Sequence, residues 1–226
     1  MYKRILVIGD VHGNLPKLKN LWSKINYNDS EDFLIFLGDY IDRGQNSLGC
    51  LRFVKKLTEE NKNIHALMGN HESMMIKFFE EKKHPYFDMK NHPWLYPCNG
   101  GDKTFKQILE LKQDKFDDIL NWVKRLPIYY DEIKGYFFVH AGINPNFDFY
   151  HQDKDDMLWI REDCYNFYFN PEVKLVVGHT PVQYIKRDWE VPLTLKNNIL
   201  LMDTGVAMGK KISCMDLISK TLWQSD

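Results

Sequence analysis

Six short apolar runs, Ile5–Ile8, Phe33–Leu37, Ile64–Met68, Phe137–Val139, Leu175–Val177 and Ile199–Met202, each stop abruptly at a glycine, a histidine or an aspartate. Short, predominantly apolar runs of this length, bounded by turn residues, read as strands buried on both faces. Between the first three lie stretches with apolar residues at helical spacing: Leu15, Leu18, Leu21, Trp22 and Ile25, then Leu48, Leu51, Phe53, Val54 and Leu57. The first half therefore alternates strand and helix, which predicts an α/β fold on a parallel sheet with right-handed crossovers. In such sheets ligands bind beyond the carboxyl ends of the strands.

Polar motifs occupy those strand ends. They are Gly9-Asp10-Val11-His12-Gly13, Gly38-Asp39-Tyr40-Ile41-Asp42-Arg43-Gly44, Gly69-Asn70-His71-Glu72, His140-Ala141-Gly142 and Gly178-His179-Thr180-Pro181, with Asp203-Thr204-Gly205 after the last run. Any one of them could be a turn with a helix cap. Five in order, all rich in carboxylate, imidazole and amide groups, point to two divalent cations and a bound phosphate. Asp39 is the candidate bridging carboxylate, with Asp10 and His12 on one ion and Asn70, His140 and His179 on the other. Oxygen and imidazole donors without thiolate favour Mn, with Fe or Zn as alternatives, over Ca. Two such ions lower the pKa of a shared water and stabilise in-line displacement at phosphorus.

At 226 residues the chain suits one good-sized domain, with an irregular excursion over 82–101 and helices to about 125. A net charge of −1 argues against nucleic acid as a partner, since phosphate-backbone affinity needs clustered Lys and Arg. Cys50, Cys98, Cys164 and Cys214 are widely spaced and outside every motif, so free thiols are expected. Only Ile5–Ile8 are apolar after Lys3-Arg4, and no run approaches membrane-spanning length; a cytoplasmic protein with no membrane partner is expected. Oligomeric state is not legible.

Other residues read as structural. His65, His84, His92 and His151 lie outside the motifs, and Asp153, Asp155 and Asp156 lack the glycine of a calcium loop. Tyr165, Phe167, Tyr168 and Phe169 are expected to pack in a core rather than line a groove.

The motifs Gly-Asp-x-His-Gly, Gly-Asp-x-x-Asp-Arg-Gly and Gly-Asn-His-Glu resemble the signature of the phosphoprotein phosphatase family of calcineurin-like metallophosphoesterases, over residues 9–205. The resemblance implies a four-layer sandwich of two mixed β-sheets flanked by helices, α/β or α+β in class, with a dinuclear metal site. It implies Asp10, His12 and Asp39 on the first metal and Asp39, Asn70, His140 and His179 on the second. His71 resembles the general acid and Asp42 the carboxylate that orients it. Arg43 and Arg161 would clamp phosphoryl oxygens, with Asn70 also among the groups meeting the phosphate. His140-Ala141-Gly142 and Asp203-Thr204-Gly205 are similar to bacterial and phage members, and Met68 departs from the Arg found before Gly-Asn-His-Glu in many relatives.

The activity this implies is hydrolysis of phosphoserine, phosphothreonine or phosphotyrosine in proteins, or of a small phosphoester. The rival is a symmetrical diadenosine tetraphosphate hydrolase, which shares Gly-Asp-x-His-Gly and a His-Ala-Gly-Ile segment matched by residues 140–143. Asp42, Glu72 and Thr180-Pro181 weigh against that rival. A metallophosphoesterase nuclease would show Gly-His-x-His, where Pro181 follows Thr180 here. A non-catalytic scaffold of the same fold would be expected to have lost ligands.

Overall fold

The computed structural model describes residues 2–168 and 170–226, so the expectation for Phe169 lies outside the described residues. The strands are β1 (Arg4–Ile8), β2 (Asp32–Phe36), β3 (Ile64–Ala66), β4 (Tyr129–Tyr130), β5 (Tyr136–Val139), β6 (Lys174–Val177), β7 (Leu193–Thr194), β8 (Ile199–Leu201), β9 (Ser213–Asp216) and β10 (Leu222–Gln224). The helices are α1 (Leu15–Ile25), α2 (Ser47–Glu60), α3 (Asn70–Glu81), α4 (Gly101–Leu109), α5 (Gln113–Lys124), α6 (Lys154–Trp159) and α7 (Glu162–Phe167).

Two five-stranded mixed sheets form the centre, in the orders β10-β9-β1-β2-β3 and β4-β5-β6-β8-β7. In the first, β1, β2 and β3 are parallel, β9 pairs antiparallel with β1, and β10 pairs antiparallel with β9. In the second, β5, β6 and β8 are parallel and β4 and β7 are antiparallel edges. The all-parallel expectation thus holds for the central strands only. The antiparallel strands escape sequence reading because they are short or carry polar residues, such as Ser213 and Asp216.

The apolar runs follow from burial on both faces. Ile5, Val7, Phe33 and Ile35 meet Phe138, Val176 and Leu200 in a core between the sheets. Their neighbours Leu6, Ile8, Leu34 and Phe36 point the other way, onto the helical layer of α1 to α5. Phe137, Val139, Leu175, Val177, Ile199 and Leu201 face a third core outside the second sheet. Successive side chains alternate between faces, so each central strand joins two cores and the result is a four-layer sandwich. Burying one such Val or Ile contributes roughly 1.5–3 kcal/mol; Val176→Asp would put an unpaired charge between the sheets and unfold it.

The helices start and stop where the sequence allows. Pro16 sits in the first turn of α1, and Asn26 ends that helix in the left-handed conformation at φ 48°. The Asn46 side chain accepts from Gly49 N at 2.9 Å and caps α2. The stretch after α3 carries two short 3-10 turns, Met89–Asn91 and Pro93–Leu95, and buries Trp94 completely before α4 begins.

Candidate metal and active site

The loops after β1, β2, β5 and β6, together with the start of α3 after β3, converge at the carboxyl ends of both sheets. Five of the eight non-glycine residues with positive φ among the described residues fall here: His12, Asp39, Asp42, Arg43 and His179. Such conformations cost on the order of 1–3 kcal/mol each, and persist only where surrounding contacts impose them. Val11 N and His12 N both donate to Asp39 O, at 3.0 and 2.9 Å, locking the first loop to the second. Glycines allow the close approach: a Cβ on Gly69 would lie 2.2 Å from Asp39 Oδ1, and one on Gly178 2.3 Å from Asp10 Oδ1.

Two groups of candidate ligands result, His12 with Asp39 and His71, and Asp39 with His140 and His179, all buried and sharing Asp39. His12 Nε2 lies 3.6 Å from Asp39 Oδ2 and 3.7 Å from Asp10 Oδ2. His140 Nε2 lies 3.5 Å from Asp39 Oδ1 on the other side. Asn70 Oδ1 stands 2.9 Å from His140 Nε2 and 3.1 Å from His179 Nδ1.

The donor set fits cations. His12 Nδ1 donates to Ile41 O at 3.0 Å and His140 Nδ1 to Leu37 O at 2.8 Å, which turns both Nε2 atoms toward the cluster. Asp10 Oδ2 and His179 Nε2 are buried with no hydrogen-bond partner. A buried carboxylate oxygen without a partner is costly, and a coordinated cation relieves that cost.

The groups around these candidate ligands are polar and each has a defined partner. His71 Nδ1 donates to Asp42 Oδ2 at 2.7 Å, and its Nε2 turns toward Asp39 Oδ2, 3.9 Å away. The Glu72 carboxylate accepts from Asp39 N, Tyr40 N, Ile41 N and Gly69 N at 2.9 to 3.2 Å, so it holds the backbone of two motifs rather than facing the cluster. Arg43 Nη1 donates to His12 Nε2 at 3.0 Å. Arg161 Nη1 donates to Thr180 Oγ1 at 2.7 Å and to His179 O at 3.3 Å, which anchors it beside the site.

Electrostatics express the crowding. Burial, then the charges of Asp203 and Asp39, push the Asp10 carboxyl well above the usual carboxylate range. Burial also opposes ionisation of Asp39, but His140, His71 and His12 outweigh it and hold that carboxyl well below the range. Burial works against the charged His140 imidazole, yet Asp39 and Asp10 raise it to about 9. Burial drives His12 and His179 well below the ordinary imidazole value. The cluster holds buried negative charge and lone pairs in excess, the condition that divalent cations correct.

Sequence reading placed Asp10, His12, Asp39, Asn70, His140 and His179 in one cluster, with His71, Asp42, Arg43 and Arg161 beside it, and the structure brings all ten together. It missed Asp203, a buried carboxylate whose Oδ1 accepts from Gly205 N at 2.8 Å and whose Oδ2 is unpartnered. Its position at the end of β8 was the available signal. Trp94 and Thr104, which bond to Asp42, carry no motif at all.

The remaining expectations divide. His84 and His151 are exposed, while His65 stacks on Phe33 at 5.1 Å. His92 is buried 3.5 Å from Glu81. Asp153 caps α6 by accepting from Asp155 N at 2.7 Å. Tyr165 and Tyr168 pack in the core outside the second sheet, but Phe167 is 70% exposed and corrects the expectation that it packs inward. It closes α7 on the solvent side, with Cys164 and Tyr165 taking the buried positions. All four cysteines are free.

Two candidate ligand groups sharing one carboxylate, set at the strand ends of a two-sheet sandwich, define a protein class: the chain belongs to the calcineurin-like phosphoesterase family, whose sequence profile matches residues 3–208. The family implies a pair of divalent metal ions. A symmetrical bis(5'-nucleosyl)-tetraphosphatase of Marinomonas sp. (strain MWYL1) is 36% identical over 143 residues, 63% of this chain and 45% of that protein. The chain thus spans about half the length of the curated relatives it matches. A solved structure provisionally named a diadenosine tetraphosphatase aligns over 99% of this chain and 95% of its own, with a TM-score of 0.72 at 16% identity. A cold-active protein-tyrosine phosphatase of Shewanella sp. aligns over 100% of this chain and 81% of its own, with a TM-score of 0.65 at 19% identity.

These findings correct the expected protein phosphatase activity. The protein phosphatase is similar in fold alone, whereas the identity in sequence lies with the symmetrical tetraphosphatases. The residues that weighed toward protein phosphatase are a poor guide for a physical reason. Glu72 binds backbone N–H groups, Thr180 accepts from Arg161 and Tyr165, and Asp42 binds His71, so all three side chains are engaged within the protein and carry no signal of substrate class.

Among the described residues no helix is long and apolar enough to cross a membrane.

Proposed function

We propose that this chain is a two-metal hydrolase of dinucleoside polyphosphates, splitting a bis(5'-nucleosyl)-tetraphosphate at its central anhydride into two nucleoside diphosphates. The identity with symmetrical tetraphosphatases carries the reading. A second feature agrees with it: Arg43 lies between two clefts. One, of about 700 Å³, is lined by Arg43, Lys103, Tyr184 and Met208. The other, of about 530 Å³, is lined by Arg43, Asn14, Asn46 and Ala207. A phosphate-binding arginine with a cleft on either side suits a substrate with a nucleoside at each end of a phosphate chain.

Asp10, His12 and Asp39 would hold one cation and Asp39, Asn70, His140 and His179 the other, with Mn the first candidate and Fe or Zn alternatives for this donor set. Bound there, the pair supplies an activated water and neutralises charge developing at phosphorus. Arg43 and Arg161 bind phosphoryl oxygens and align the chain for in-line displacement. The water oxygen joins phosphorus as the bridging P–O bond breaks, and His71 Nε2 gives its proton to the departing diphosphate oxygen. Asp42, bonded to His71 Nδ1 at 2.7 Å, keeps the ring turned for that transfer.

The test compares kcat/KM for diadenosine tetraphosphate, p-nitrophenyl phosphate and a phosphopeptide with Mn present, with the nucleotide products identified. A preference for the dinucleotide of at least about 100-fold, with ADP as sole nucleotide product, is expected. A preference for either phosphomonoester, or AMP and ATP as products, would overturn the reading.

A further inference from the structure

Asp42 is fully buried and receives three side-chain donors. His71 Nδ1 and Trp94 Nε1 reach the same oxygen, Oδ2, at 2.7 and 2.9 Å. The Thr104 hydroxyl reaches Oδ1 at 2.6 Å. Each donor comes from a different element: His71 from the first turn of α3, Trp94 from the 3-10 turn Pro93–Leu95, Thr104 from α4.

Trp94 is itself clamped. Its ring sits among Phe78, Phe79 and Phe105, with centroids 5.1 to 6.3 Å away. The start of α4 presses against it, since a Cβ on Gly101 would lie 2.2 Å from Trp94 O and 2.7 Å from Nε1. Gly100, at φ +73°, packs on Arg43 N in the same way, so the stretch before α4 closes directly over the Asp42-Arg43 turn. An indole N–H is a donor only, and a ring packed this tightly offers it in one direction.

We infer that Trp94 and Thr104 are positioning residues for His71, acting through Asp42. A carboxylate alone can rotate about its Cβ–Cγ bond and leave the imidazole free to swing. Held at both oxygens, Asp42 has one orientation, and the lone pair left on Oδ2 meets His71 Nδ1. The His71 ring is thereby fixed with Nε2 toward the bridging Asp39. The irregular stretch 82–101, for which the sequence suggests no role, supplies one of the two clamps. The inference rests on the reading of His71 as proton donor, and not on which phosphoester is the substrate.

The test uses the full chain loaded with Mn and two aryl phosphates, p-nitrophenyl phosphate with a good leaving group and phenyl phosphate with a poor one. Trp94→Phe keeps the ring in the core and deletes only the N–H. It is expected to lower kcat roughly tenfold more on phenyl phosphate than on p-nitrophenyl phosphate, with KM little changed. In a His71→Asn background the same substitution should cost less than about twofold, because the group it positions is gone. Thr104→Val is expected to act in the same direction and serves if Trp94→Phe does not fold. Equal losses on the two substrates, or an undiminished loss on top of His71→Asn, would show packing alone and overturn the inference. If His71→Asn itself does not discriminate between leaving groups, or the chain does not hydrolyse aryl phosphates, the proton-donor reading fails instead. Ring positioning is then read from the His71 Nδ1–H proton resonance in the Zn-loaded chain: a shift or faster exchange in Trp94→Phe sustains it, and an unchanged signal refutes it.

Discussion

His140 Nε2 and the Asn70 side-chain oxygen face each other at 2.9 Å although 70 positions separate them in sequence. His140 follows β5 of the second sheet, and Asn70 opens α3 behind β3 of the first. With His140 Nδ1 already donating to Leu37 O, two lone pairs would confront each other unless positive charge lies between them. That charge is either a proton on His140, which Asp39 and Asp10 raise against burial to about 9, or a cation in its place. The site therefore spans the seam between the sheets, and cation binding competes with protonation there.

Asp39 belongs to both ligand groups, so its replacement should empty both. Asp39→Asn is expected to lower metal content, measured by mass spectrometry, at both positions and to cut kcat by roughly a thousandfold or more. His179→Ala, confined to one group, should lose a single ion. Retention of both ions in Asp39→Asn would refute the shared ligand.

Arg43 and Arg161 reach the site from opposite sheets and are proposed to meet the same phosphate. Arg43→Ala and Arg161→Ala should each weaken competitive inhibition by inorganic phosphate by about tenfold, a charge-assisted hydrogen bond being worth roughly 1.5–3 kcal/mol. An unaltered inhibition constant removes that arginine from the phosphate site.

Glu72 is expected to matter for stability more than for chemistry, since its carboxylate accepts four backbone N–H groups while buried. In Glu72→Gln an amide donor replaces one acceptor and confronts those N–H groups. Chemical denaturation should show a loss of about 2–4 kcal/mol. A loss under about 0.5 kcal/mol would mean the network rearranges without cost.

Asp203 predicts a pH dependence of the metal-free chain. Burial raises its carboxyl from 3.8 to about 6 in the folded state. Between those values the folded chain keeps a proton that the unfolded chain has released, so stability contributed at this residue falls as pH rises through that window. Asp203→Asn should therefore gain stability over the metal-free wild type from about pH 4 to pH 6, and the gain should level off above. Denaturation midpoints across that range decide it; a difference independent of pH would contradict the shift.

Much of the first sheet is legible because its signal is local. A strand buried on both faces must be apolar throughout, as Ile5–Ile8 and Phe33–Ile35 are, and a helix against it must be apolar on one side, as Leu18, Leu21 and Ile25 are. The antiparallel-paired strands β4, β7, β9 and β10 carry two to four residues each, too few for periodicity to register. Asp42, Glu72 and Thr180 were visible as residues, but the direction each side chain takes was not, and that misdirected the expected substrate.

By itself the sequence determined which strands would be central and which donor groups would end them, because burial on both faces and ligand chemistry are both written in consecutive residues. Only the tertiary structure decided that Asp39 stands between two imidazole groups, that Asp203 joins the cluster with its Oδ2 unpartnered, and that Trp94 and Thr104 grip Asp42. Those relationships join loops as much as 169 positions apart, as in His179 N donating to Asp10 Oδ1. They exist because two sheets pack face to face with the carboxyl ends of their parallel strands at one edge, a geometry no local pattern encodes.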